Sequence, residues 1–180
     1  MNLKKSTNLM WAPWRKTYLR SSSGKRSGCL FCSLLRDKRD KRNLVLFRTG
    51  HHAVILNRYP YNNGHLMIVP KRHIACLSQM NVSEKAEFFE VLEKVMEALS
   101  RAMRPQGFNL GVNISDVAGA GIPGHVHWHI VPRWKGDVNF MPVVAGTKVI
   151  SESLDSAYEI LNRVLTRGAR SGRCVIRRKK

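Results

Sequence analysis

The sequence predicts an α+β domain in which a mainly antiparallel five-stranded sheet carries one long helix and a C-terminal helix. Five short apolar runs, each bounded by Gly, Pro or Asn as strands are, recur along the chain. They cover residues 44–48, 53–57, 65–70, 108–114 and 125–132. A long helical pattern follows the third run and a weaker one ends the domain, which places helices on one face of a sheet.

The long helix has clear signals at its start and its end. Asn81 and Glu84 bracket the sequence Asn-Val-Ser-Glu, which resembles a capping box. Apolar side chains then recur at helical spacing as far as Met103, and Pro105 ends the pattern. Residues 152–165 carry the weaker pattern and predict the C-terminal helix.

Charge is concentrated at the two ends of the chain. The formal net charge is +19, yet residues 43–162 hold 11 basic and 10 acidic side chains. Basic ends bind polyanions weakly and without sequence preference, so the charge says little about the central domain. The run 36–42 predicts a charged, exposed loop. No stretch reaches the roughly 18 apolar residues of a membrane span and no secretory signal opens the sequence, so we expect a cytoplasmic protein.

Two of the four cysteines are close in sequence. Cys29 and Cys32 form a Cys-x-x-Cys pair, which in a reducing compartment indicates either half of a metal site or a redox motif. Cys76 stands among apolar residues and is interpreted as a small buried hydrophobe.

The most informative segment holds three alternating histidines. His125, His127 and His129 on a strand would point to the same face, about 6.6–7 Å apart. Such an arrangement suits either a zinc site or covalent catalysis, in which one imidazole attacks a phosphorus. The Gly-rich loop over residues 116–124 allows close backbone approach to an anion and favours a phosphate substrate.

The sequence His-Val-His-Trp-His-Ile-Val at residues 125–131 resembles the motif of the histidine-triad (HIT) family. Its flanks, together with residues 10–15 and 57–65, are similar to the branch that contains diadenosine-tetraphosphate phosphorylases and ATP adenylyltransferase-like proteins. The resemblance implies a HIT-like fold over residues 10–165, between a flexible basic N-terminus (1–9) and a flexible basic tail (166–180). It also implies a homodimer that joins two sheets edge to edge.

The resemblance assigns roles to individual residues. His127 corresponds to the nucleophile, which attacks an α-phosphorus to form a nucleotidyl-histidine. His129 would hydrogen-bond the phosphate or its leaving oxygen, and His65 would orient the nucleophile through the ring nitrogen that does not attack. Further substrate contacts are expected from Asn57, at the ribose, and from Asn113, Ser115, Gly121 and Lys148.

The resemblance also completes the Cys-x-x-Cys pair. Zinc-containing members add the histidine of a Pro-x-x-His segment and the first triad histidine, which implies a closed site of Cys29, Cys32, His73 and His125. His51 and His52 are rivals for the fourth ligand.

The expected activity is cleavage of a nucleoside polyphosphate such as diadenosine tetraphosphate, with either water or phosphate as acceptor. A nucleoside phosphoramidase and a nucleic-acid deadenylating enzyme are alternatives. Uridylyl transfer is disfavoured because His129 stands where that relative carries glutamine. A zinc-stabilised nucleic-acid-binding protein is the alternative from another class. Arg133 could bind phosphate or cap the sheet edge.

Overall fold

The computed structural model describes residues 28–137 and 150–166. The predicted basic N-terminus, the segment 10–15 and the predicted substrate residue Lys148 lie outside these ranges, as do residues 167–180 of the predicted tail. Thr166, where that tail was predicted to begin, is the last residue of the C-terminal helix. The domain boundaries therefore remain predictions. Within the described ranges, no helix combines the length and the apolar character needed to cross a membrane.

The sheet has five strands, as predicted. They are β1 (Val45–Arg48), β2 (His52–Leu56), β3 (Leu66–Pro70), β4 (Gly107–Val112) and β5 (Trp128–Arg133). Their order is β1-β2-β3-β5-β4, and every neighbouring pair is antiparallel. All residues of β2 and β3 are buried, so these strands form the centre of the domain.

Within residues 28–137 and 150–166, four α-helices accompany the sheet: α1 (Leu30–Arg36), α2 (Asp40–Asn43), α3 (Val82–Met103) and α4 (Leu154–Thr166). The capping box that starts α3 is confirmed: Asn81 Oδ1 accepts from the Glu84 N–H at 2.8 Å, and Glu84 Oε2 accepts from the Asn81 N–H at 2.8 Å. The loop predicted over 36–42 was partly wrong. Residues 40–43 form a helical turn there, ending in Leu44 with φ of 58°.

Side chains of successive strand residues alternate between two apolar layers. Val54, Ile68 and Ile130 pack beneath α3 and α4. Ala53, Ile55, Met67 and Val69 pack with Phe31 of α1 on the opposite face. The prediction that helices lie on one face was therefore incomplete, because α1 covers the second face. Phe31 is the one buried residue of α1, and its burial contributes roughly 1.5–3 kcal/mol to the free energy of folding.

The fifth strand begins later than predicted. His125 closes a turn with Ile122, its N–H donating to that carbonyl at 3.2 Å, and the Val126 N–H donates to Ile74 O at 2.8 Å. Regular pairing with β4 starts only at Trp128, opposite Val112. His125 and His127 therefore lie in an extended loop before β5, and only His129 lies in the strand.

Candidate functional site

Four predicted metal ligands meet at one end of the sheet. Cys29 Sγ lies 3.3 Å from His125 Nδ1, and Cys32 Sγ lies 3.4 Å from His73 Nδ1 and 3.6 Å from His125 Nδ1. The four donor atoms all lie within 4.8 Å of one another. Ligand atoms of a tetrahedral zinc site with bonds of about 2.0–2.3 Å stand roughly 3.3–3.8 Å apart, so this donor set fits zinc.

Secondary structure brings the ligands together. Cys29 is the N-cap of α1 and Cys32 lies in its first turn, while His73 follows β3. The segment that carries His73 is held by Arg72, which donates to both carboxylate oxygens of the buried Glu84 at 2.7 and 2.9 Å. The fold thus holds the segments that carry these ligands, and this favours a metal site over a redox pair.

The rival ligands lie elsewhere. His52 Nδ1 is 3.1 Å from Glu87 Oε1, and the backbone N–H of His51 donates to the same carboxylate oxygen at 2.8 Å. Neither histidine belongs to the one candidate metal cluster that residues 28–137 and 150–166 contain. Cys76, predicted to be buried, is half-exposed beside a short 3₁₀ turn, with its Sγ 3.1 Å from Ser78 Oγ.

His125 connects the ligand cluster to the predicted nucleophile. Its Nε2–H donates to Pro70 O at 2.8 Å, which leaves the Nδ1 lone pair for a metal. Its own carbonyl oxygen accepts from His127 Nδ1–H at 2.9 Å. The proton of His127 is thereby held on Nδ1, and the lone pair of Nε2 is available for attack. His127 is only 4% exposed, and this burial lowers its pKa below 6.5.

The role expected for His65 stays a prediction. The contact that the structure shows for this ring is with the third triad histidine: His65 Nε2 lies 2.9 Å from His129 Nδ1. The backbone carbonyl of His125 holds His127, the predicted nucleophile. A carbonyl belongs to every residue, so no side-chain pattern could have identified it.

Protons in the His65–His129 pair can be placed from their neighbours. The Tyr61 N–H donates to His65 Nδ1 at 3.0 Å, so the His65 proton must be on Nε2. His65 Nε2–H then donates to His129 Nδ1, and His129 must carry its proton on Nε2. Both rings are neutral in this arrangement, and the ring centroids of His127 and His129 are 5.0 Å apart. A nucleophilic lone pair and a hydrogen-bond donor thus lie side by side.

The predicted substrate residues of the described ranges lie on separate segments of the chain. Asn57 Nδ2 lies 3.3 Å from His65 Nδ1, next to the histidines. Asn113 follows β4 directly beyond the Val112–Trp128 pair, and its amide donates to Gly119 O at 3.5 Å. Ser115 and Gly121 lie in the loop that follows, with Ser115 Oγ donating to Asp116 Oδ1 at 2.8 Å.

Arg133 has a structural environment. It donates to both carboxylate oxygens of Asp137 at 2.6 and 2.8 Å and to Asn109 Oδ1 at 2.6 Å. These contacts favour the sheet-edge role over phosphate binding. Sequence reasoning did not single out Asp137 or its second partner Asn62, because both resemble ordinary turn residues.

Comparison with known proteins agrees with the fold and the motif. The HIT domain model matches residues 38–136. The chain is 35% identical over 158 residues to an AP-4-A phosphorylase of Mycobacterium tuberculosis, covering 84% of this chain and 81% of that protein. It is 32% identical over 93 residues to an asymmetrical bis(5'-nucleosyl)-tetraphosphatase of Schizosaccharomyces pombe, covering 52% and 50%.

A solved structure of a Zn-bound histidine triad family protein from Mycobacterium smegmatis has the same fold. Its TM-score is 0.62 at 21% identity, over 78% of this chain and 94% of that one. The family model spans more than half of the chain and the phosphorylase match covers most of it, so the chain belongs to the HIT domain family.

Proposed function

We propose that this protein is a nucleotidyl hydrolase or transferase that cleaves dinucleoside polyphosphates, such as diadenosine tetraphosphate, through a nucleotidyl-histidine on His127. The observation that carries the proposal is the buried His127 with its proton held by the His125 carbonyl, beside a second neutral imidazole at 5.0 Å. The names of the phosphorylase and tetraphosphatase relatives support the substrate class.

In the first step, His127 Nε2 attacks the α-phosphorus and the bond from phosphorus to the polyphosphate leaving oxygen breaks. The His127 ring becomes a cation. Its Nδ1–H continues to donate to the His125 carbonyl oxygen, which stabilises the positive charge. His129 Nε2–H donates a hydrogen bond to the oxygen that gains negative charge. The leaving group departs as an anion, so no proton need leave His129.

In the second step, an acceptor oxygen attacks the same phosphorus. The phosphorus–nitrogen bond breaks and returns the lone pair to His127 Nε2. Water as acceptor releases AMP and a proton, and inorganic phosphate releases ADP. Asn57, Asn113, Ser115, Gly121 and Lys148 are the residues that we propose to contact the nucleotide in both steps.

We further propose that Cys29, Cys32, His73 and His125 hold a structural zinc ion. Bound there, zinc would supply a closed tetrahedral cross-link without an open position for substrate. It would tie the start of α1 to the end of β3 and leave the other two triad histidines free for chemistry. Two thiolate ligands suit a reducing compartment, in keeping with the cytoplasmic location that we propose.

A homodimer formed through β4 is the assembly that we propose. Among the strands of the described ranges, β4 lies at one end of the sheet. Leu110 on this strand is 51% exposed, and Phe89 on α3 is 65% exposed. An edge strand with an exposed leucine offers both unpaired backbone groups and apolar area to a second copy. Light scattering would then give twice the 20.5 kDa mass of the chain.

The test is product analysis with diadenosine tetraphosphate, with and without inorganic phosphate. We expect wild type to form ATP with ADP when phosphate is the acceptor, or ATP with AMP when water is. His127→Ala should form neither, whereas His51→Ala, which removes an imidazole outside the site, should match wild type. Unchanged products from His127→Ala would refute the nucleophile. An inactive wild type would refute the substrate and make phosphoramidates and adenylylated nucleic acid the next candidates.

A further inference from the structure

Asp137 lies at the centre of a hydrogen-bonded network just beyond β5. Its carboxylate accepts from Asn62 Nδ2 at 2.7 Å, from Arg133 Nε and Nη2 at 2.6 and 2.8 Å, and from the Trp134 N–H at 3.2 Å. The side chain is 8% exposed. The Arg133 guanidinium lowers the pKa of Asp137 to about 2, so the carboxylate is charged at neutral pH.

Asn62 links this carboxylate to the turn that precedes His65. Its side-chain amide donates to Asp137 and also to Pro132 O at 3.0 Å, which ties the turn to the end of β5. Its backbone carbonyl accepts from the His65 N–H at 3.2 Å. The neighbouring Tyr61 N–H donates to His65 Nδ1. The position of this N–H therefore depends on where Asn62 is held.

We propose that Asp137, acting through Asn62, is a positioning residue that sets the tautomer of the His65–His129 pair. The carboxylate fixes Asn62, Asn62 fixes the turn, and the turn presents the Tyr61 N–H to His65 Nδ1. With that nitrogen occupied by a donor, His65 must donate from Nε2, and His129 is left as an Nε2–H donor. The kinetic part of this inference rests on the proposed function, whereas the tautomers themselves do not.

This network differs from an ordinary surface ion pair in the number of its donors and in the burial of its carboxylate. An exposed ion pair adds little stability, which gives little reason for four converging donors on one buried carboxylate. Asn62 is itself buried, and a buried amide must be hydrogen-bonded. The same two residues thus satisfy each other and join β5, which carries His129, to the turn that orients its partner.

The experiment uses the full chain in two variants, Asn62→Ala and Asp137→Ala. Long-range ¹H–¹⁵N spectra of the histidine rings report which nitrogen carries each proton. In wild type we expect Nε2–H for His65 and His129 and Nδ1–H for His127. In both variants we expect mixed tautomers for His65 and His129, while His127 stays unchanged because the His125 carbonyl holds it.

Kinetics with diadenosine tetraphosphate provide the second measurement. A misplaced donor should lower kcat about 10- to 100-fold with KM nearly unchanged. Asp137→Ala removes the carboxylate partner of Arg133, but that side chain still donates to Asn109 Oδ1 and is 39% exposed, so it can be hydrated. Asn62→Ala keeps the Asp137–Arg133 pair, so one variant remains informative if the other does not fold.

Glu87→Gln is the matched control. Glu87 also holds a turn through several donors, namely Thr49 Oγ1 and the backbone N–H groups of His51 and His52. It should leave the His65 and His129 tautomers as in wild type. Wild-type tautomers in both test variants would overturn the inference, whatever the activity. Mixed tautomers in the variants, together with a wild type that does not cleave the dinucleotide, would uphold the inference and refute the proposed substrate.

Discussion

Replacing Gly64 with alanine perturbs the turn directly before His65. Gly64 has φ of 67°, a left-handed conformation that residues with a Cβ adopt with difficulty. A Cβ built on it would lie 2.5 Å from Met103 Sδ and 3.1 Å from Leu99 Cδ2. The substitution therefore combines backbone strain with an overlap against the end of α3.

The magnitude follows from these two terms. Left-handed backbone costs about 1–2 kcal/mol for a residue with a Cβ. Overpacking costs about 1–3 kcal/mol, and the flexible Met103 side chain places the overlap toward the lower end. Alanine also restricts the unfolded chain, which offsets about 0.4–1 kcal/mol. We expect the free energy of unfolding to fall by about 1–3 kcal/mol.

Urea denaturation of a double-mutant cycle separates the two terms. The cycle compares wild type, Gly64→Ala, Met103→Ala and the double variant. In the Met103→Ala background, the cost of Gly64→Ala should drop by the overlap term, about 1 kcal/mol, which leaves the backbone term less the unfolded-chain offset. A Gly64→Ala protein as stable as wild type would refute the strained turn. An equal cost in both backgrounds would refute the overlap with Met103.

Two further predictions concern the metal and pH. Cys32→Ser should lower bound zinc from one ion per chain, measured by elemental analysis, and should lower the melting temperature; equal zinc in both proteins would exclude Cys32 as a ligand. Burial lowers the pKa of His52 and His127 below 6.5, so below pH 6.5 the unfolded chain binds more protons than the folded one. Stability should therefore fall as pH drops below 6.5, by at most about 1.4 kcal/mol per pH unit for each histidine. Urea denaturation in His127→Ala should show a shallower pH dependence, and an unchanged slope would contradict the burial effect.

Local signals in the sequence predicted the parts of the fold that local interactions determine. The capping box at Asn81 and the spacing of apolar residues located α3 closely, and the five apolar runs became five strands. Helix α1 was not predicted, because its seven residues are too few for a periodic pattern. Its N-cap, Cys29, also makes no capping hydrogen bond through its side chain. Its position depends on Phe31 packing against distant strands.

The same difference between local signals and long-range contacts applies to the candidate site. The triad motif identified the histidines, and family resemblance identified four side chains that the fold does bring together. The contact of His65 with His129 was not predicted, because it joins residues 64 positions apart and depends on the pairing of β3 with β5. The start of β5 was wrong because Val126 bonds to Ile74, a residue that no pattern near the motif reveals.

The pairing of β3 with β5 has a consequence for folding. The pairing of Leu66 with Ile130 closes a loop that contains α3 and β4. Among the strand pairs of the sheet, this one joins the residues that are furthest apart in sequence. Closing so long a loop is entropically costly, and contacts of this kind slow folding. His65 and His129 flank that closure and meet only when it is complete. During refolding, helix formation should therefore precede the meeting of His65 and His129, and a nascent chain gains this pair only after β5 has been synthesised.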